Sequence, residues 1–139
     1  MTDHLRIALA QMNQLVGDLD GNASAMIEMR RKAGDADLLL CPELQLVGYP
    51  PEDLVLKPEF VRRVRECTDR LVQATIERGP AMLIGTIVNE GGQNFNAMLL
   101  AENGRVIGRT LKHELPNYGT FDEKRIFAPG PLPQPIEWR

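Results

Sequence analysis

The apolar positions of this chain change their period along its length, and the changes mark out its elements. From Leu5 to Ala10 they alternate, with Leu5, Ile7 and Leu9 on one face and small Ala8 and Ala10 among the other positions, which predicts a strand. Val16-Gly17-Asp18 reads as a turn. Asp20 or Asn22 is placed to cap the following helix, which carries Ala23, Met26, Ile27 and Ala33 along one side and stops at Gly34. Asp37 to Cys41 is a continuous apolar run, the pattern of a strand buried on both faces, and Pro42 closes it. The Pro-rich stretch from Glu43 to Lys57 predicts irregular backbone. A second helix is expected from Pro58, a residue suited to a first helical position. Phe60, Val64, Cys67 and Leu71 recur along it at helical spacing, and Gly79-Pro80 is expected to end it.

Beyond Pro80 the period becomes two. Ala81 to Val88, Asn94 to Ala101 and Arg105 to Leu111 read as three strands. The turns between them, Asn89-Glu90-Gly91-Gly92 and Glu102-Asn103-Gly104, supply the positive-φ residues that tight hairpins need. Strand, helix, strand, helix and then an antiparallel meander predict an α/β sandwich with a mixed sheet. The tail from Pro129 to Pro135 reads as an extended connector, with structured chain expected after it.

Composition narrows the setting. A chain of 139 residues bounds one compact domain or part of a larger one. Its 43% apolar and 25% charged residues are ordinary for a soluble globular protein. A net charge of -3 argues against nucleic acid or an anionic membrane as partner. Arg62, Arg63 and Arg65 are interrupted by apolar Val61 and Val64, the look of a solvated helix face. The apolar runs are of strand length, far short of the roughly 20 residues that cross a bilayer, and the opening does not resemble a secretion leader, so none is expected. Cys41 and Cys67 offer no disulfide framework, so a cytoplasmic, reducing compartment is expected, and the helical spacing makes Cys67 a core residue.

Two charged residues stand out by position. Glu43 lies just past the C-terminal end of the buried strand, where open α/β sheets bind ligands. A carboxylate held there is a candidate general base, the bland alternative being a loop glutamate in water. Lys112 likewise follows the strand that ends at Leu111, where a solvated terminus is the ordinary reading. After it, Pro116-Asn117-Tyr118-Gly119-Thr120-Phe121-Asp122-Glu123 gathers aromatic, acidic and turn residues into one loop. Loops of this kind often bind ligands, although Tyr118 and Phe121 would also serve as a small core cluster. No dinucleotide or phosphate loop is present. No metal is expected, since His4 and His113 stand far apart and neither cysteine has a partner at ligand spacing. The residues by themselves leave a soluble α/β domain with a candidate Glu/Lys site.

Three stretches together resemble the nitrilase superfamily of carbon–nitrogen hydrolases: LRIALAQMNQLVGDLDGN, DLLLCPELQLVGYPPEDL and LKHELPNYGTFDEKRIFAPG. In detail they are most similar to the glutaminase domains of glutamine-dependent NAD synthetases, through the runs at 48–54 and 115–123. The resemblance covers essentially the whole chain. It implies that residues 1–139 are the N-terminal part of a nitrilase-like α-β-β-α sandwich, a partial carbon–nitrogen hydrolase domain. It also implies a Glu-Lys-Cys triad, with Glu43 as base, Lys112 as stabiliser of the oxyanion and Glu123 orienting the lysine. Tyr118 matches a glutamine-binding position, and Tyr49 and Phe121 are expected to line the same pocket.

The family's nucleophilic cysteine lies in a Cys-Glu-Asp context some tens of residues past the lysine, and neither Cys41 nor Cys67 matches it. The resemblance therefore implies a fragment that is inactive alone and leaves a strand unpaired, prone to association. The intact protein would hydrolyse L-glutamine and pass ammonia to a C-terminal synthetase domain. There, with ATP and Mg as the expected cofactors, nicotinic acid adenine dinucleotide would be amidated to NAD. A homo-oligomer is expected when intact. A stand-alone amidase of the same fold, or a truncated non-catalytic binding or assembly domain, are the alternatives.

Overall fold

The structure, a computed structural model, describes residues 4–139. Its elements in chain order are β1 (Ile7–Leu9), α1 (Leu19–Ala33), β2 (Leu38–Leu40), a 3₁₀ turn (Glu52–Leu56), α2 (Pro58–Ala74), β3 (Ala81–Glu90), β4 (Gln93–Glu102), β5 (Arg105–Leu111) and α3 (Glu123–Ile126). The strands make one five-stranded sheet in sequence order. β1, β2 and β3 run parallel, whereas β3, β4 and β5 are antiparallel. The mixed sheet follows from the connections. Helices α1 and α2 carry the chain across between parallel neighbours, while two-residue turns suffice for the antiparallel ones. Gly91 and Gly92 (φ 57° and 80°) make the first turn, and Asn103 and Gly104 (φ 51° and 73°) make the second.

Both helices cover the same face of the sheet. Met26 of α1 and Val64 and Leu71 of α2 are fully buried there against Leu39, Met82 and Ile84. Ala8 and Ala10 also face this core, so the small-residue side of β1 is the one beneath the helices. Leu5, Ile7 and Leu9 are left 55%, 50% and 66% exposed. On the opposite face Leu38, Ala81 and Leu100 form a smaller cluster under Ile136 and Trp138. The tail is thus more than a connector, because it turns back over the sheet. Gly108 makes room for it, since a Cβ there would sit 2.5 Å from Ile136 Cγ2.

Several boundaries differ from the sequence expectation, each for a physical reason. Asp18, not Asp20 or Asn22, caps α1, accepting from the Gly21 amide at 3.0 Å. Asn22 is buried instead, bonded to both backbone groups of Leu15 and to the Leu46 carbonyl. Helix α2 ends at Ala74, well before Gly79. Buried Arg30, reaching over from α1, donates to the carbonyls of Ala74, Glu77 and Pro80 at 3.0, 2.7 and 2.8 Å and so satisfies the loosened C-terminal backbone. The Pro-rich stretch is not wholly irregular, because Glu52–Leu56 forms a 3₁₀ turn. β1 is shorter than expected, while β3 extends two residues and β4 one residue further into their shared hairpin, to Glu90 and from Gln93.

Candidate active site

Glu43 is placed by a turn that the backbone forces. The Cys41 amide donates to the Leu83 carbonyl at 3.0 Å as the last link of the ladder, and Pro42 then removes the next donor. Leu44 adopts a left-handed conformation (φ 49°), and the Gln45 amide closes on the Pro42 carbonyl at 3.2 Å. Leu44, Leu46 and Val47 are fully buried and anchor the turn. The turn presses directly on β3. A Cβ built on Gly85 would lie 2.1 Å from the Pro42 carbonyl oxygen and 2.7 Å from the Leu44 amide nitrogen. Only glycine permits that approach.

Lys112 follows β5 and remains tied to β4, its amide donating to the Asn96 carbonyl at 2.8 Å. The Gly130 amide donates back to the Lys112 carbonyl at 2.8 Å, which holds the start of the tail beside it. The lysine's Nζ donates to Glu43 Oε1 at 2.7 Å and to Glu123 Oε1 at 3.0 Å. Residues 69 positions apart, at the ends of β2 and β5, thereby meet around one ammonium. Glu123 opens α3 and is 3% exposed. Its Oε1 also accepts from the Tyr49 hydroxyl at 2.8 Å. Arg125 pairs with Asp122, Asp53 and Glu52, which fastens the 115–123 loop to the 48–54 loop.

Burial works against the charged form of Lys112, but the hydrogen bonds and charges of Glu43 and Glu123 outweigh it and hold the ammonium above the usual lysine range. Burial, then the hydrogen bond to Glu123 and the nearby carboxylate charges, push the Tyr49 phenol up as well, so it stays a neutral donor. Tyr49, Phe121 and Glu123 line a cavity of about 280 Å³ together with Pro50, Thr120 and Asp122. Tyr118 is 71% exposed and stacks edge-on against Phe121, with ring centroids 5.6 Å apart. Among the described residues no group of three His, Cys, Asp or Glu side chains is placed to hold a metal ion. No described helix is long and apolar enough to cross a membrane.

One participant went unnoticed in the sequence. Asn96, 4% exposed on β4, donates from Nδ2 to Glu43 Oε1 at 2.6 Å. The signal was a polar residue inside the apolar stretch from Phe95 to Ala101, because a buried amide requires a partner.

Neither cysteine is suited to attack. Cys41 is 1% exposed and burial pushes its thiol up to about 12. Cys67 is also raised, by burial first and then by the charge of Asp20. At pH 8 a thiol with a pKa of about 12 is thiolate in only about one molecule in ten thousand. Iodoacetamide at pH 8 is therefore expected to spare Cys41 in the folded chain for as long as it takes to alkylate both cysteines in urea. Rapid native labelling would contradict the burial. The same shift carries a sign for stability. The folded thiol keeps its proton to higher pH than the unfolded one, so its contribution is complete below roughly pH 8.5 and is lost as pH rises towards about 12.

The carbon–nitrogen hydrolase family matches residues 6–138. The chain is 43% identical over 128 residues to the glutamine-dependent NAD(+) synthetase of Thermotoga maritima, covering 91% of this chain and 22% of that protein. It is 45% identical over 140 residues to the synthetase of Rhodobacter capsulatus, covering 98% and 25%. The chain thus spans about a quarter of the length of these relatives. Among solved structures, the glutamine-dependent NAD+ synthetase of Acinetobacter baumannii, in complex with ADP, superimposes with a TM-score of 0.89 at 38% identity, over 96% of this chain and 26% of that one. The amidase of Nesterenkonia sp. AN1 superimposes with a TM-score of 0.85 at 31% identity, over 97% and 52%. A glutamate-to-leucine mutant of that amidase carries the acetamide moiety of fluoroacetamide covalently at its active-site cysteine.

Proposed function

The chain belongs to the carbon–nitrogen hydrolase family, and from that premise we propose that it is the glutamine-hydrolysing part of a glutamine-dependent NAD(+) synthetase. The observation that carries the reading is the Lys112 ammonium bridging Glu43 and Glu123 at 2.7 and 3.0 Å. Its identity to synthetases over nearly the whole chain supports the choice of substrate.

In this reading a cysteine from the polypeptide beyond the matched segment meets the carboxamide of L-glutamine beside Glu43. Glu43 takes the thiol proton, and the thiolate attacks the carbonyl carbon. The carbonyl oxygen becomes negative near Lys112, whose held positive charge stabilises it by roughly 3–4 kcal/mol, as a good oxyanion donor does. Collapse of the tetrahedral intermediate breaks the C–N bond, and Glu43 returns its proton to the departing ammonia. Water, deprotonated by Glu43, then cleaves the thioester and releases glutamate. Tyr49, Phe121 and Tyr118 are proposed to flank the substrate. Ammonia would pass to a synthetase domain at the C-terminal side, where ATP and Mg are proposed to support amidation of nicotinic acid adenine dinucleotide. No residue of this chain is assigned to them. Work in the cytoplasm, within a homo-oligomer, is part of the same proposal.

The test compares the 139-residue chain with the full-length protein that contains it. The chain alone is expected to release no ammonia from glutamine above background, while the full-length protein forms glutamate and amidates its acceptor with either glutamine or ammonia. Turnover by the chain alone would overturn the assignment of the nucleophile. The similarity to the Nesterenkonia amidase favours a second reading, a stand-alone amidase. Turnover of short aliphatic amides in preference to glutamine would select it.

A further inference from the structure

We infer that Asn96 is the positioning residue of the general base, and that by engaging Oε1 of Glu43 it assigns proton transfer to Oε2. The inference rests on the proposed glutaminase reading and adds an atom-level role to it. Asn96 occupies the middle of the arrangement. β4 lies between β3, whose Gly85 seats the turn carrying Glu43, and β5, which leads to Lys112. From there Asn96 reaches both partners. Its Nδ2 donates to Glu43 Oε1 at 2.6 Å, and its main-chain carbonyl accepts from the Lys112 amide at 2.8 Å.

The chemistry of the pair fixes the polarity of the contact. A carboxylate oxygen only accepts, so the carboxamide must present its NH2 and not its oxygen. Both side-chain hydrogen bonds of Glu43, from Asn96 and from Lys112, fall on Oε1. Oε2 therefore keeps the lone pairs with which to take a thiol proton and later return it. The fixation matters because the Glu43 side chain is 45% exposed, and a glutamate free in water samples several rotamers. A base that is out of line by about 1 Å loses about 100-fold in rate. Asparagine also adds no charge to a site that already sets two carboxylates around one ammonium.

The test uses Asn96→Leu, which is close in volume and lacks the donor, and Asn96→Asp, which adds a third carboxylate, both in the full-length protein. Asn96→Leu is expected to lower kcat for glutamine hydrolysis by about 30-fold with KM nearly unchanged, within the range of misplaced general bases. The pH–rate profile should change shape as well, because the base has lost the neutral donor that holds it. Asn96→Asp should lose more, and ammonia-supported synthesis should survive in both. A residue that serves only the fold would lower thermal stability and leave the pH profile in place. That result, or a kcat within threefold of wild type, overturns the inference. Should a variant fail to fold, the unsubstituted protein still decides. The Asn96 side-chain amide signals should move in an acid NMR titration and cease to do so in Glu43→Ala. Signals that do not move refute the contact, whereas a full-length protein without glutaminase activity refutes the functional reading alone.

Discussion

Replacing Lys112 by alanine in the full-length protein is expected to lower glutamine hydrolysis at least about a thousand-fold while free ammonia still supports the synthetase reaction. Two losses combine. One fixed positive donor at the oxyanion disappears, a change that by itself costs about 100- to 1,000-fold. The same change leaves Glu43 and Glu123, both bonded to Nζ at 2.7 and 3.0 Å, without the cation between them. Glu43 thereby loses the contact that holds its carboxylate in place, and a base that is out of line transfers its proton poorly. Glu43→Ala is expected to fall equally far by removing the base directly. Lys112→Arg should recover only part of the rate, since a planar guanidinium does not replace a compact ammonium held between two acceptors. The measurement is glutamate release beside ammonia-driven product formation. A loss below tenfold, or equal loss of both activities, would sink these roles.

Gly85→Ala is expected to damage both fold and site from a position that touches no substrate. The added Cβ would sit 2.1 Å from the Pro42 carbonyl oxygen and 2.7 Å from the Leu44 amide nitrogen. Both are backbone atoms, so no side-chain rotation relieves the clash. The 42–47 turn has to lift off β3, lengthening the 3.2 Å bond from the Leu46 amide to the Gly85 carbonyl and loosening buried Leu44 and Leu46. Overpacking of this severity costs about 3 kcal/mol, which for a domain of this size lowers the melting temperature by roughly 10 °C. Where the variant folds, Glu43 moves with its turn, and a displacement of about 1 Å costs about 100-fold in rate. Gly91→Asn is the control, because Gly91 meets nothing within 4 Å and its φ of 57° suits asparagine. A Gly85→Ala protein that matches this control in melting temperature and activity would show that the turn is not seated as described.

Much of the scaffold was legible in the chain because it is governed by neighbours. The strand at Arg105–Leu111 matched to the residue, since period-two alternation and an Asn-Gly turn are local signals. The buried face of α2 was likewise readable from Val64, Cys67 and Leu71, which recur at helical spacing. Its end was not, because the group that satisfies the last carbonyls is Arg30, supplied from another helix. The exposed side of β1 was also unreadable. Leu5, Ile7 and Leu9 form the more apolar stripe, yet the helices cover Ala8 and Ala10.

The candidate site divides along the same line. The sequence determined which residues are chemically able, Glu43 at a strand end and Lys112 before an aromatic, acidic loop, and it placed each within its own local element. Only the tertiary structure decided that they meet, with Asn96 and Tyr49 completing the contact. The order of strands in the sheet, set by two helical crossovers and two hairpins, brings positions 43, 96, 112 and 123 to one end of it. Periodicity records how a residue faces its neighbours in the chain. Which distant residue it will touch is a property of sheet order and of the close approach that Gly85 permits.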